Sequence, residues 1–165
     1  MSFRKRIHKI IFLILTSFPG AAMPEGLFLN SYNEVSERYA VLDEFNLSGV
    51  LYLTKPKSQE PIRDAVAYIQ YEPLSQKAWR QKVVVGEPPT LHKGQVSKIA
   101  IIEKASEQDF SFLWSTDGNS VALLYRSEPI AFVTQSKKYG FSKAVVSDSP
   151  VVSAWDSTLF VQLFE

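Results

Sequence analysis

Between Ser48 and Val146 the chain is written as short apolar runs, rich in β-branched and aromatic residues, separated by clusters of Pro, Gly, Asp, Asn and Ser. Side chains alternate between the two faces of a strand and turn residues supply the reversals, so this punctuation predicts antiparallel strands. They are expected at Gly49–Thr54, Asp64–Tyr71, Arg80–Val85, Lys98–Lys104, Phe110–Ser115, Ser120–Arg126, Ile130–Gln135 and Gly140–Val146. Trp114 to Ser120 reads as a hairpin tip, in which Asp117 and Gly118 supply the positive φ angles of a tight turn. Pro129 can open a strand but not sit in its middle, so a second turn falls at Ser127–Pro129. A third at Ser136–Lys138 completes a meander from Phe110 to Val146.

The two ends of the domain change period. Val35, Ala40, Val41 and Phe45 suit an amphipathic N-terminal helix over Glu34–Phe45, and equally a strand over Arg38–Asp43. At the C-terminus Asp156 can cap a helix, Trp155 and Phe160 stand at hydrophobic-staple spacing, and Leu159, Phe160, Leu163 and Phe164 make one apolar face. The expected fold is mainly β: an antiparallel meander or sandwich-like sheet clamped by a short C-terminal helix. No repeat of fixed period points to a propeller or solenoid.

Ahead of the domain, Arg4, Lys5, Arg6, His8 and Lys9 form a basic stretch, Ile10–Phe18 an apolar run of nine residues, and Gly20, Ala21, Ala22 a small-residue exit. Such a run is too short for the roughly 20 residues of a spanning helix and has the form of a secretory signal peptide. Residues 1–22 are therefore expected to be removed, leaving residues 23–165 as a single periplasmic domain. An uncleaved single-span anchor is the alternative. The absence of Cys after the small residues excludes a lipid-anchored lipoprotein.

Charge sharpens this division. The first 22 residues hold four of the 18 basic residues and none of the 17 acidic ones, so the remainder carries 14 against 17 and a net charge of −3. Its strongest basic run is Lys137 and Lys138, which argues against a nucleic-acid partner. With no Cys in the sequence, stability comes from packing rather than disulfides.

The chemistry of sites narrows the function by elimination. His92 is the sole histidine after residue 22 and stands in a loop, so neither a Ser-His pair nor a zinc site is expected, and no cofactor or metal is implied. Ser142 and Lys143 are neighbours in an expected strand and point to opposite faces. Carboxylate pairs of the kind a glycan hydrolase needs are present as Asp43 with Glu44, Glu107 with Asp109 and Asp64 with Glu72, spacings that scattered acids also produce. Trp114 and Trp155 flank a turn and a helix and read as core. Trp79 lies in a polar stretch, and with Tyr71, Pro73, Pro88 and Pro89 forms a candidate patch for a protein partner. Lys137, Lys138 and Tyr139 in the third turn complete the candidate binding residues.

Pro61, Ile62, Asp64, Ala65 and Ile69, then Trp114, Ser115, Asp117, Gly118, Leu123, Leu124, Pro129 and Ala131, then Gly140, Phe141, Ser142, Lys143, and last Trp155, Asp156, Leu159 and Phe164, form an ordered set. In these pieces the stretch Gln59–Phe164 resembles a small uncharacterised bacterial family of exported β-rich domains, with Glu72–Val96 as an insertion. The resemblance implies the β-rich fold and brings no catalytic residues. Small exported domains of this kind are often binding proteins, including immunity proteins against envelope-acting toxins. The expected function is thus a non-enzymatic periplasmic binding protein, most concretely an immunity protein with a toxin partner. A structural or accessory envelope protein is the alternative, and a carboxylate-dependent hydrolase a third.

Overall fold

A computed structural model of the protein describes residues 26–84 and 91–165. The expected signal peptide and Pro88 and Pro89 lie outside the described residues.

Alternating apolar runs close into two sheets. β1 (Phe28–Asn33), β2 (Arg38–Phe45), β3 (Ser48–Thr54) and β4 (Pro61–Ile69) form an antiparallel sheet in chain order. β5 (Phe110–Trp114), β6 (Ser120–Tyr125) and β7 (Glu128–Thr134) continue the meander into a second sheet, which ends in two-residue strands β8 (Phe141–Ser142) and β9 (Ser153–Ala154). All pairings are antiparallel except β8 with β9, which is parallel. The fold is mainly β, with two sheets over one core, as the alternation predicts.

Period-two alternation assigns the faces. Ala40 and Leu42 of β2, Leu51 and Leu53 of β3 and Ala65 and Ala67 of β4 meet Val121, Leu123, Ala131 and Val133 of the second sheet in a fully buried core. Small residues let the sheets approach closely at β4 and β7. Gly140 is part of this fit: a side chain there would stand 2.6 Å from the Asp64 carbonyl and 2.7 Å from Val133.

The outer face of the second sheet is covered by α2 (Ser157–Phe164). The Asp156 carboxylate accepts from Leu159 N at 2.9 Å and caps the helix. Phe160 packs with Ala122 and Phe132, and Trp155, Leu159, Leu163 and Phe164 close around them. Phe132 meets Phe141, Trp155, Phe160 and Phe164 at ring distances of 4.7 to 5.9 Å. Each buried side chain of this kind contributes about 1.5 to 3 kcal/mol, so the C-terminal helix is the clamp its apolar spacing predicts.

Four expectations are corrected. The segment Glu34–Phe45 forms no helix; its strand alternative forms, as β2, because Arg38, Ala40, Leu42 and Glu44 alternate toward the interior. Residues 80–84 are helical rather than extended. They end α1 (Gln76–Val84), where the Ser75 hydroxyl accepts from Ala78 N at 3.3 Å and caps good helix formers. The run Lys98–Lys104 makes no strand: Ile69 N donates to Ala100 O and Ile102 N to Ile69 O, so only one residue of β4 is paired and the chain then leaves. Strand Gly140–Val146 shrinks to two residues, since the Ser142 hydroxyl captures Ala144 N at 3.0 Å and turns the chain.

Candidate binding surface

β2 ends its inward row on a charge. Arg38 is 5% exposed, and its guanidinium reaches Thr54 O at 2.7 Å through Nη1, Gln135 Oε1 at 2.5 Å through Nη2 and Asn119 Oδ1 at 3.1 Å through Nε. Two of these acceptors stand in turns that flank β6 and β7 of the opposite sheet. Burial draws this guanidinium below its ordinary pKa; Asp117 opposes that shift and nearby Arg63 adds to it.

The hairpin β5–β6 brings Asn119 to this position. Gly118 adopts φ +67°, and Gly118 N donates to Ser115 O at 2.9 Å. Asp117 keeps a negative φ, so only one of the two residues assigned a positive φ has it. The Asp117 carboxylate instead organises the tip, accepting from the Ser115 hydroxyl at 2.7 Å and from Asn119 N at 3.0 Å; these bonds hold its pKa below the usual carboxylate range, the Asn119 backbone bond most strongly. The tip lies against the β1–β2 turn, where a side chain at position 118 would strike Asn33 and Ser36. Trp114, expected in the core, packs against it and donates its indole N–H to Ser31 Oγ at 3.0 Å.

The β7–β8 turn completes this end. Arg63 Nη2 donates to Gln135 O at 2.8 Å and Gly140 N donates to Asp64 O at 3.1 Å, so the turn is fastened at both ends to adjacent residues of β4. Between the fastenings Lys137 and Lys138 are exposed, and Lys138 Nζ lies 4.9 Å from the centre of the half-buried Tyr139 ring.

The other sequence candidates lie elsewhere. Tyr71 is half-buried and packs against the core. Trp79 on α1 is half-buried, its ring edge-on to His92 at 5.4 Å, while His92 Nδ1 accepts from Gly94 N at 3.1 Å. This group follows the C-terminal end of β4, whereas the lysine turn is fastened at Arg63 and Asp64 near its start. From Asp64 the strand runs on to Ile69, roughly 17 Å, before the chain reaches Tyr71, so the structure does not bring Trp79 and Tyr71 together with Lys137, Lys138 and Tyr139.

The carboxylate pairs form no facing couple. Asp43 and Glu44 point to opposite faces of β2. Glu44 Oε1 accepts from the Tyr68 hydroxyl at 2.5 Å and Gln70 Nε2 at 3.1 Å, and Oε2 accepts from Leu27 N at 3.0 Å. Asp43 is buried on the outer face, and burial, then Glu44, raises its pKa. Asp109 is fixed by Ser106 N at 3.0 Å and Arg126 Nε at 3.1 Å, which lower its pKa, while Asp64 belongs to β4 and Glu72 lies beyond its end at Ile69. Among the described residues no group of three or more His, Cys, Asp or Glu is placed to hold a metal, and no helix is long and apolar enough to cross a membrane.

Arg38 and Arg63 were not singled out from the sequence, although Arg38 opens β2 and Arg63 stands within β4. Comparison with protein-family models, with curated proteins and with solved structures finds no match.

Proposed function

We propose that the chain is an exported, non-enzymatic binding protein of the bacterial envelope, most concretely an immunity protein that blocks an envelope-acting toxin. The observation that carries this reading is the β7–β8 turn: a pair of exposed lysines and a tyrosine held on a loop that is fastened at both ends to a sheet. A surface fixed in advance loses little conformational freedom when a partner docks, and such pre-organisation favours steric occlusion as the mode of action. The basic and apolar N-terminal segment supports export, and the resemblance to exported bacterial β-rich domains agrees with it.

Affinity capture from periplasmic extract, followed by mass spectrometry and co-expression of the captured partner in the envelope, tests the reading. The expected result is a partner whose export arrests growth alone and not in the company of this chain. Capture of a resident assembly factor without toxicity supports the accessory role instead, and turnover of an envelope glycan by the purified protein overturns both.

A further inference from the structure

The Arg38–Arg63 end of the sandwich holds more positive charge than it neutralises. Arg38 spends its guanidinium on neutral acceptors, and Arg63 donates to Ile62 O at 2.7 Å and Gln135 O at 2.8 Å. The two guanidinium groups converge on one residue, Gln135, through its side chain and its carbonyl. Arg63 Nε is buried with no hydrogen-bond partner. A charged donor buried without an acceptor is costly to the fold, and the part of this guanidinium that a partner can reach is Nη2, whose bond to Gln135 O lies at the exposed surface.

The surrounding charges do not supply one. Lys55 pairs with Glu60 at 2.6 Å and Lys57 with Glu37 at 3.2 Å, which closes those four groups on one another. Asp117 acts on Arg38, but its oxygens are occupied by Ser115 and Asn119. Asp64 faces the opposite side of β4, beside Tyr52. Among the described residues Arg38, Arg63, Lys137 and Lys138 form no ion pair.

We infer that this corner, built from Arg63 over Arg38 and rimmed by Lys137, Lys138 and Tyr139, is the docking surface for an acidic segment of a protein partner. The inference rests on the binding function proposed above and names the chemistry of the partner. Charge complementarity selects the occupant. A single phosphate needs several donors converging on one point, whereas Arg63 stands on β4 and the two lysines follow one another on the β7–β8 turn. That arrangement suits successive Asp or Glu side chains, each meeting one cation, with one carboxylate at the exposed Nη2 edge of Arg63.

The test uses the protein recovered from the periplasm and a fluorescein-labelled hexaglutamate peptide, followed by fluorescence anisotropy at low salt. Binding is expected, weakening as sodium chloride is raised. Arg63→Gln and the double variant Lys137→Glu, Lys138→Glu are each expected to weaken it by about tenfold or more, a factor that corresponds to about 1.4 kcal/mol per decade, with unchanged circular dichroism. Arg63→Lys is expected to recover part of the loss. Absence of peptide binding, or binding indifferent to all three variants, overturns the inference. So does displacement of the peptide by equimolar inorganic phosphate, which assigns a small-anion site, or tighter binding of oligothymidylate than of the peptide. If a natural partner is captured as strongly by the double variant as by the native protein, the acidic-segment inference fails while the binding function stands.

Discussion

β2 carries a charge at each end of its inward-facing row, and the two ends solve the same problem differently. Arg38 donates its hydrogen bonds to Thr54 O in its own sheet and to Asn119 and Gln135 in the turns that flank β6 and β7 of the other. Glu44 takes all of its bonds from Tyr68, Gln70 and Leu27, on its own side of the core. Both charges are satisfied by neutral groups, as burial demands. One of them, however, fastens two sheets together, while the other ties the first sheet and its flanks to themselves. The bond to a charge is similar in each case; what differs is whether cutting it separates two layers.

The largest expected effect follows from cutting the fastening between the sheets. Arg38→Met leaves Thr54 O, Gln135 and Asn119 facing an apolar side chain and is expected to cost about 3 kcal/mol. Urea unfolding reads it; a loss no larger than that of Tyr68→Phe erases the distinction between the ends. Gly118→Val attacks the same seam through the backbone. It places a β-branched residue at φ +67° against Asn33 and Ser36, with an expected cost on the order of 1 to 3 kcal/mol, seen as a fall in melting temperature. A melting temperature equal to that of the native chain would show that the hairpin tip is free to leave the β1–β2 turn.

At the opposite end Tyr68→Phe removes the hydroxyl from Glu44 and keeps the ring, which stacks on Phe110 at 5.3 Å. The expected cost is about 1.5 kcal/mol, at the charged-acceptor end of the usual range. Smallest is the pH effect at Asp117. Its folded pKa is depressed, so its contribution is complete above the unfolded value near 4 and is lost as pH falls through the folded value. Asp117→Asn should lower stability at pH 7 and narrow its gap from the native chain as pH falls below about 4. A gap independent of pH would assign the role of Asp117 to shape rather than charge.

The sheet was legible where one signal stood alone. β5, β6 and β7 lie between turns marked by Asp-Gly and Pro, and the C-terminal helix has both its cap and its apolar face in sequence. Legibility failed where a charged residue occupies an inward position: Arg38 and Glu44 in RYAVLDEF disguise the alternation that makes β2 a strand, and the same letters fit a helix. It failed again where the tertiary partner decides. Lys98–Lys104 has the composition of a strand, but Ile69 offers it one residue of pairing. Turn chemistry was also only half visible. The β2–β3 reversal places Asn46 and Leu47 at φ 51° and 58°, and the β6–β7 reversal places Arg126 and Ser127 at 49° and 71°. Of these four residues only Asn46 favours a positive φ; strand register imposes it on Leu47, Arg126 and Ser127. At the candidate surface, Lys137 and Lys138 were visible as the strongest basic run, whereas Arg63 could be found only through its place at the seam. The signal it did give was a charged pair, Arg63 and Asp64, inside a strand whose other residues are uncharged.

The parallel pairing of β8 with β9 has a consequence in time. β9 and α2 are supplied by Ser153 to Phe164, which follow every other strand in chain order. During synthesis β5, β6, β7 and β8 emerge first, with Phe132 and Phe141 not yet covered by Phe160 and Phe164. The second sheet is therefore completed only after residues 153–164 have been made, and a nascent chain of this sequence stays short of its native state until then. For a protein that we propose crosses a membrane before it folds, the order of its elements delays closure until that segment is in place.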